Sequence, residues 1–445
     1  MASTLTFTDG TTTVAISDAG AGLQDYAPKG ARASDESVDE EATVNFLSKA
    51  TAQTRINQIN TIFARARMRA TTSVGPRCFV QFAYEGEGTT WRSEITDGAI
   101  DVGDETLGVD PAANNLFATI RWTRAPYWEG AVTQLPISNH SASNNTAGLT
   151  INNHSVSGSA SAYLTVAGSN ILGDTPAPVR LELVNTTGSA LGYLMYGLLN
   201  GTQAWNYNAC LQCESSVSSF GQGGSGVNTA SGSASNGTYL ALSAIAGSAA
   251  NNIRWQVANA TLGLCDGKPV VPILRFDGTA PTLEYIRAYL GGLYTEYIQT
   301  VSTRKYAVLP PLPYPPRSLN GANNYATHDL YVYFWNPGGS ADAMKPDHLT
   351  LIPAGDGWRE INSLEGNSNI SNGDTLIDDG IEQLTYSLTG GNRLTTYSAA
   401  GKWPLLIPGV DASFYTFCAE NGVGNANPSF SWTAKLYYRP RRRSI

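Results

Sequence analysis

The stretch Glu40–Met68 reads EEATVNFLSKATAQTRINQINTIFARARM, and it contains neither glycine nor proline. Its apolar residues recur at mostly helical spacing, which predicts one amphipathic α-helix of about 40 Å. The segment begins acidic, at Asp39-Glu40-Glu41, and ends basic, at Arg65, Arg67 and Arg69, as the helix dipole favours. A helix with one apolar stripe must bury it, so we expect this helix to lie against a sheet.

Strand patterns surround this helix on both sides. Thr4–Thr8 and Thr13–Ile16 alternate polar and apolar residues around the turn Asp9-Gly10, which predicts a β-hairpin. The polar segment Ser17–Asp39 carries glycine and proline and is expected to form a long exposed loop or arm. After the helix, further strands are predicted at Arg77–Glu85, Trp91–Ile95 and Leu116–Thr123.

Short strands at intervals of about ten residues, among them Asp329–Trp335, dominate the rest of the chain, a pattern typical of a β-sandwich or jelly roll. Residues 137–177 are rich in Ser and Asn and are expected to be a linker or a peripheral hairpin. The prolines of Pro310–Pro316 predict a stiff spacer. The predicted domains are therefore a sheet-plus-helix domain at 1–136, the linker, a sandwich at 178–309, a spacer at 310–318 and a C-terminal β domain at 319–445. The fold class is mostly β with one long α-helix.

The composition excludes several classes of protein. Hydrophobic residues make up 42% of the 445 residues, so the whole chain cannot be intrinsically disordered. The net charge of −8 argues against wrapping a phosphate backbone, and no apolar run is long enough to span a bilayer. Met1–Gly10 lacks the features of a signal peptide, so secretion is not expected. Five cysteines do not make a disulfide framework for so long a chain.

The sequence predicts no enzyme, no cofactor, no metal site and no catalytic residue. Cys210 and Cys213 form a single CxxC pair without a second ligand pair, and the four histidines share no metal-binding spacing. Glycosidases require a pair of carboxylates in space, and Asp378-Asp379 and Glu40-Glu41 are acidic pairs in the sequence, but Asp378-Asp379-Gly380 is more simply a turn between strands.

Aromatic residues of the middle region are candidates for glycan contact. The leading candidates are Trp205 and Tyr207, and the others are Tyr285, Tyr289, Tyr294 and Tyr297. Aromatic faces stack on sugar rings, and neighbouring amide and carboxylate groups give direction. The same residue types also fill sandwich cores and protein interfaces, so those alternatives stay open.

Three short segments carry a resemblance to a known family. Leu116–Gly130 reads LFATIRWTRAPYWEG, Asn372–Asp378 reads NGDTLID, and Pro404–Val410 reads PLLIPGV. These segments resemble distal tail proteins, the hub-ring proteins at the tail tip or baseplate of long-tailed bacteriophages. The resemblance covers about the first 135 and the last 90 residues.

The resemblance implies a tail-tube-like, ring-forming domain built from both chain ends, with an inserted sandwich domain that is often carbohydrate-binding. It implies identical copies in a ring, usually six, contacts with other phage tail proteins, and a virion location after synthesis in the host bacterial cytoplasm. Open sheet edges would pair between copies, with Ser17–Asp39 reaching a neighbour. The alternatives are a lectin-like receptor-binding module, a capsid decoration protein and a glycoside hydrolase. Arg439–Arg443 either binds an acidic partner or is solvated.

Overall fold

In the computed structural model, the described residues are 3–86, 88–102, 116–139, 142–143, 145–153, 162–201, 210–214, 217–220, 226–242, 251–258, 267–278, 284–300, 304–314, 327–336, 344–363, 369–394, 397–420 and 426–445. They fall into two units. Unit 1 comprises Met1–Thr133, Leu172–Ala177 and Arg439–Ile445, and unit 2 comprises Gln134–Ile171 and Pro178–Tyr438.

Strands dominate both units. In chain order they are β1 (Thr4–Thr8), β2 (Thr13–Ala15), β3 (Ala21–Asp25), β4 (Val38–Phe46), β5 (Phe79–Ala83), β6 (Trp91–Val102), β7 (Leu116–Arg124), β8 (Trp128–Glu129), β9 (Thr133–Leu135), β10 (Leu149–Asn152), β11 (Tyr163–Val166), β12 (Ala177–Asn185), β13 (Tyr193–Asn200), β14 (Cys210–Gln212), β15 (Val217–Phe220), β16 (Gly226–Ala230), β17 (Thr238–Leu242), β18 (Asn251–Ala258), β19 (Pro269–Phe276), β20 (Tyr285–Leu290), β21 (Leu293–Tyr294), β22 (Ile298–Gln299), β23 (Tyr306–Val308), β24 (Leu312–Pro313), β25 (Thr327–Trp335), β26 (Pro346–Pro353), β27 (Trp358–Ser363), β28 (Thr375–Asp379), β29 (Leu384–Thr389), β30 (Asn392–Leu394), β31 (Tyr397–Lys402), β32 (Leu405–Leu406), β33 (Ala412–Ala419), β34 (Ser431–Tyr438) and β35 (Arg441–Arg442).

A single α-helix, α1 (Lys49–Thr72), occurs in the described part of the chain, together with a short 3-10 turn at Gly168–Asn170. The predicted class, mostly β with one long helix, is therefore confirmed. No helix among these residues is long and apolar enough to cross a membrane.

Unit 1 is an antiparallel sheet in the order β2-β1-β5-β6-β7-β4-β3, joined at one side by β8 and β35. Helix α1 lies on its inner face and buries Ile59, Ile62 and Phe63, as the amphipathic pattern predicts. The edge strands β2 and β3 follow one another in the chain. Because Ala15 and Ala21 are joined by at most about 22 Å of extended chain, the end of β2 lies within that distance of the start of β3.

The predicted start of the helix, at Glu40, is wrong. Val38–Phe46 is strand β4, in which every second side chain is buried. Alternation with a period of two residues identifies this segment as a strand, because Glu40 faces inward with Val38 and Val44 while Glu41 faces solvent. The helix begins after Ser48, and the left-handed backbone of Ser73 (φ 58°) ends it.

Of the loop and the arm predicted at Ser17–Asp39, residues 27–37 form a mostly exposed loop, but a free arm is not present. Part of the segment is β3, which pairs with β4. The hydroxyl of Tyr26 and the backbone N–H of Lys29 donate to the Glu40 carboxylate, at 2.6 and 2.9 Å. Arg124 donates to the same carboxylate at 2.8 Å and to the carbonyl of Lys29. Burying the Arg124 charge requires these acceptors, so the segment folds onto its own unit.

The basic C-terminus packs on its own chain, so the alternative of a merely solvated tail is wrong. Strand β35 pairs with β8, and Arg441 donates to the buried carboxylate of Glu129 at 2.7 Å. The hydroxyl of Tyr84 donates to the carbonyl of Ile445, and the N–H of Arg443 donates to Asp174. A carboxylate within unit 1 therefore supplies the acidic partner.

Unit 2 is a set of packed antiparallel sheets, as the sandwich pattern predicts. The described strand orders are β10-β34-β12-β28-β29-β30 with β9 and β32, β11-β33-β13-β27-β31, β14-β26-β19-β23 with β24, β15-β18-β25-β20-β21 with β22, and the hairpin β16-β17. Their inward residues form a continuous apolar core that includes Trp255, Phe276, Val332 and Phe417.

Unit 2 is larger than the predicted sandwich. Strands β10 and β11, from the predicted linker, pair with β34 and β33. The proline-rich segment is not a spacer between units, because Leu312–Pro313 pairs with β19 and Tyr314 is buried in the core. Residues of the predicted C-terminal domain up to Tyr438 belong to this unit, and only Arg439–Ile445 returns to unit 1. Extended prolines fit the edge of a sheet as well as they fit a linker.

Candidate functional site

One face of a sheet in unit 2 carries an unusual concentration of aromatic side chains. Strands β18, β25 and β20 lie side by side, and alternate residues of each point into the core: Ile253, Trp255, Val257, Ile286, Ala288, Leu290, Leu330, Val332 and Phe334. The residues between them face outward and are partly exposed. We call the outward rings the aromatic surface: Tyr285, Tyr289, Tyr294, Tyr297, Tyr331, Tyr333 and Trp335.

Strand register brings these rings together. Tyr285 lies opposite Trp335 and Tyr289 opposite Tyr331, with ring centroids 5.3 and 5.5 Å apart. Along β25, Tyr331 and Tyr333 stack at 5.7 Å with an interplanar angle of 24°. Side chains two residues apart on a strand are spaced by about 6.6 Å, so the three outward rings of β25 span about 13 Å. That length suits an oligosaccharide better than a single sugar.

A tight turn completes the surface at one side. Leu290 pairs with Leu293, so only Gly291 and Gly292 form the loop, and both have positive φ, at 58° and 93°. Two-residue hairpin loops of this kind require such backbone angles at both positions, which glycine adopts without a steric penalty. The turn places Tyr294 4.5 Å from Tyr289, and Tyr294 remains 51% exposed.

The chain after this turn is held against β20 by buried hydrogen bonds. Thr295 exchanges two bonds with Ala288, donating its N–H to the carbonyl and accepting the Ala288 N–H on its hydroxyl, at 2.8 and 2.9 Å. Thr300 donates its N–H to the carbonyl of Glu284 at 2.7 Å. These bonds fix the segment that carries Tyr294 and Tyr297, so the rings form a preorganised surface.

Polar groups border the rings. Arg254 donates to both carboxylate oxygens of Asp329 at 2.8 Å, beside Tyr331. Burial, and next the neighbouring Tyr294, raise the pKa of Tyr333 to about 12. Burial and Asp329 likewise raise the pKa of Tyr331. Both phenols therefore stay neutral near pH 7 and can donate as well as accept hydrogen bonds.

The aromatic residues predicted from the sequence have different outcomes. Trp205 and Tyr207 lie outside the described residues. Tyr285, Tyr289, Tyr294 and Tyr297 are all brought together on the aromatic surface. Tyr331, Tyr333 and Trp335 were not predicted as candidates, although the strand Asp329–Trp335 that carries them was predicted. That strand was assigned to another domain because of the proline-rich segment before it.

The other polar clusters of unit 2 are buried. Asp378 accepts hydrogen bonds from Tyr196 and Arg359, while Asp379 accepts the N–H groups of Ile381 and Glu382 in a turn. Burial alone would raise the pKa of Asp347, but a hydrogen bond with His348 and the charge of Arg275 hold it to about 2. A substrate cannot reach either cluster, so we regard both as structural.

The thiols and histidines give no functional site in the described residues. Cys210 and Cys213 are buried and not disulfide-bonded, and burial raises the pKa of the Cys213 thiol well above its usual value. Such a thiol is a poor nucleophile. No group of three or more His, Cys, Asp or Glu side chains suited to a metal occurs in this part of the chain.

Comparisons with known proteins give only distant similarity. No protein-family model matches the chain, and no curated protein matches it. Among solved structures, one of the phage P2 baseplate in its activated conformation with calcium matches at 10% identity and a TM-score of 0.22, covering 76% of this chain and 99% of that chain.

Two carbohydrate-related structures match at the same level. The tandem CBM22 domain of Paenibacillus barcinonensis matches at 9% identity and a TM-score of 0.22, over 52% of this chain and 96% of that chain. An exo-beta-1,3-galactanase of Phanerochaete chrysosporium, solved with galactose, matches at 10% identity and a TM-score of 0.22, over 70% and 78%. TM-scores this low do not support the assignment of a function.

Proposed function

We propose that unit 2 binds carbohydrate on the aromatic surface and that it neither makes nor breaks a bond there. The observation that carries this proposal is the cross-strand array of partly exposed rings on the outer face of a sandwich sheet. Inward neighbours such as Ile286 and Val332 already fill the core, so the outward rings are not needed for it. Partly exposed aromatic rings offer apolar contacts for sugar C–H groups, and bordering hydroxyl and carboxylate groups give direction.

The full chain is therefore expected to bind a polysaccharide. In native gel electrophoresis through gels containing dissolved polysaccharides, we expect slower migration in at least one gel than in a gel without polysaccharide. Serum albumin run beside it controls for sieving. Unchanged migration in every gel, across neutral and acidic polysaccharides of plant, bacterial and animal type, would contradict the proposal.

We also propose, as a second function, that the chain is a structural component of a phage virion and that unit 1 mediates its assembly into a ring. Two observations support the assembly of unit 1 with other copies. The outer edges of β2 and β3 carry no further strand in the described residues, and unpaired edges favour pairing with another chain. Leu47 and Phe117 are 50% and 39% exposed at the same end of the sheet, where Asn45 pairs with Phe117. Assembly would bury such apolar side chains.

Oligomeric state tests this second function. Light scattering coupled to size exclusion should give a closed oligomer, with six copies expected, and electron microscopy should show rings. Phe117→Glu should shift the population to monomer, because it puts a charge into the proposed interface. Val227→Glu, at an exposed valine of the β16–β17 hairpin in unit 2, is the matched control. A monomer at every accessible concentration would exclude ring assembly by the chain alone.

A further inference from the structure

An arginine lies among the rings of the aromatic surface. Arg287 is on the outer face of β20, opposite Tyr333. Its guanidinium carbon is 4.2 Å from the ring centroid of Tyr294, 4.5 Å from that of Tyr297 and 5.3 Å from that of Tyr333. Three electron-rich faces thus stabilise and orient one cation.

The charge of Arg287 has no acidic partner among the described residues. Arg254 on the same face is paired with Asp329, whereas Arg287 forms no ion pair or hydrogen bond within that part of the chain. Glu296 is exposed nearby in sequence and forms no ion pair with it. The Arg287 guanidinium is therefore a positive charge without a paired carboxylate among the described residues, although the chain as a whole carries −8.

The geometry of the guanidinium leaves donors for a ligand. The guanidinium carbon contacts the tyrosine rings, while the N–H groups radiate outward in the guanidinium plane. The Nε atom of Arg287 is buried without a partner. The two terminal nitrogens make no hydrogen bond with the described residues and are not buried, so they reach solvent. An arginine fixed in this way presents a fork that matches carboxylate, sulfate or phosphate oxygens.

We propose that the glycan bound by unit 2 is acidic, and that Arg287 pairs with a carboxylate, sulfate or phosphate group on it while the neighbouring rings stack on the sugars. This inference rests on the proposed carbohydrate binding and adds the ligand's charge class. The three anionic groups share one chemistry, and the choice of polysaccharide in the test separates them.

Isothermal titration of the full chain with matched pairs of acidic and neutral polysaccharides tests the inference. Polygalacturonate is compared with its fully methyl-esterified form, dextran sulfate with dextran, and a phosphate-bearing teichoic acid with its dephosphorylated backbone. We expect the acidic member of at least one pair to bind about tenfold tighter or more, as one charge-assisted hydrogen-bonded pair provides. Added salt should reduce this preference.

Arg287→Gln is expected to abolish the preference, so that the acidic and neutral members of a pair bind this variant with equal affinity. Arg287→Lys should keep part of the preference, because it retains the charge but not the fork. Arg393→Gln is the control: Arg393 also stacks on a tyrosine, at 4.0 Å from the Tyr386 ring, but lies on another sheet. Thermal unfolding of each variant establishes that the fold is intact.

The outcomes separate the two proposals. Equal binding of acidic and neutral members, or a preference that survives Arg287→Gln in a folded variant, would overturn the acidic-ligand inference and leave carbohydrate binding standing. Absence of binding to any member of any pair would overturn the proposed function itself.

Discussion

Glu129→Gln is expected to destabilise unit 1 by about 3–5 kcal/mol at neutral pH, the usual cost of leaving buried charges without their partner. The Glu129 side chain is 1% exposed and lies 2.7 Å from Arg441, 3.2 Å from Arg92 and 3.9 Å from Arg77. Glutamine preserves the shape but removes the charge that these three guanidinium groups share. Urea unfolding followed by the helical circular dichroism signal measures the effect, since α1, the helix of the described residues, belongs to unit 1.

The pH dependence of this variant follows from the same contacts. Burial raises the pKa of Glu129, but Arg441, Arg77 and Arg92 outweigh it and hold the pKa below the usual 4.5. A carboxylate whose folded pKa is depressed stabilises the fold fully above the unfolded pKa and loses that contribution as pH falls through the folded pKa. The stability gap between wild type and Glu129→Gln should therefore be constant near neutrality and narrow below pH 4.5.

Glu41→Gln is the control for this prediction. Glu41 pairs with Arg121, and both side chains are well exposed to solvent. Exposed pairs contribute about 0–1 kcal/mol, so this variant should unfold nearly as wild type does. Equal losses in the two variants would contradict the assignment of Glu129 as the buried counter-ion of the C-terminal segment.

The double variant Tyr331→Ala/Tyr333→Ala should lose about 30-fold or more in polysaccharide affinity. Truncating an aromatic anchor at the centre of a binding surface typically costs about 2 kcal/mol or more, and that energy corresponds to about a 30-fold change. These two rings stack on each other and contact Tyr289 and Tyr294, so their removal opens the centre of the aromatic surface. Titration of the polysaccharide that wild type binds measures the loss.

Tyr386→Ala is matched to this variant because Tyr386 is also a partly exposed tyrosine of unit 2, on β29. It should bind as wild type does. The thermal unfolding of the double variant should stay close to that of wild type, since both deleted rings face outward from the core. Unchanged affinity in the folded double variant would mean that the sugar binds elsewhere.

Most of the strands that were predicted from local patterns are present in the structure. Asp329–Trp335 is β25, and the alternation in Thr4–Thr8 with Thr13–Ile16 predicted the first hairpin, because period two reports which face a residue occupies. The same rule failed at Val38–Phe46, where buried Glu40 concealed the alternation. A buried carboxylate is compatible with a strand only because Arg124 and Tyr26 supply donors, and neither partner is visible locally.

Pairing between distant strands explains the remaining errors. Strand β12 pairs with β28 and β34, each far along the chain, and no local pattern specifies such partners. The candidate surface shows the same limit. Tyr285 and Tyr289 were predicted as candidates from composition, but Tyr331 and Trp335 join them only through the register of β20 with β25.

A structure of the full chain with its best-binding oligosaccharide tests the central claim most directly. The account predicts sugar rings stacked over Tyr331 and Tyr333 on the outer face of β25, within reach of the Arg254–Asp329 pair. Sugar density on another surface, with these rings left uncovered, would contradict it.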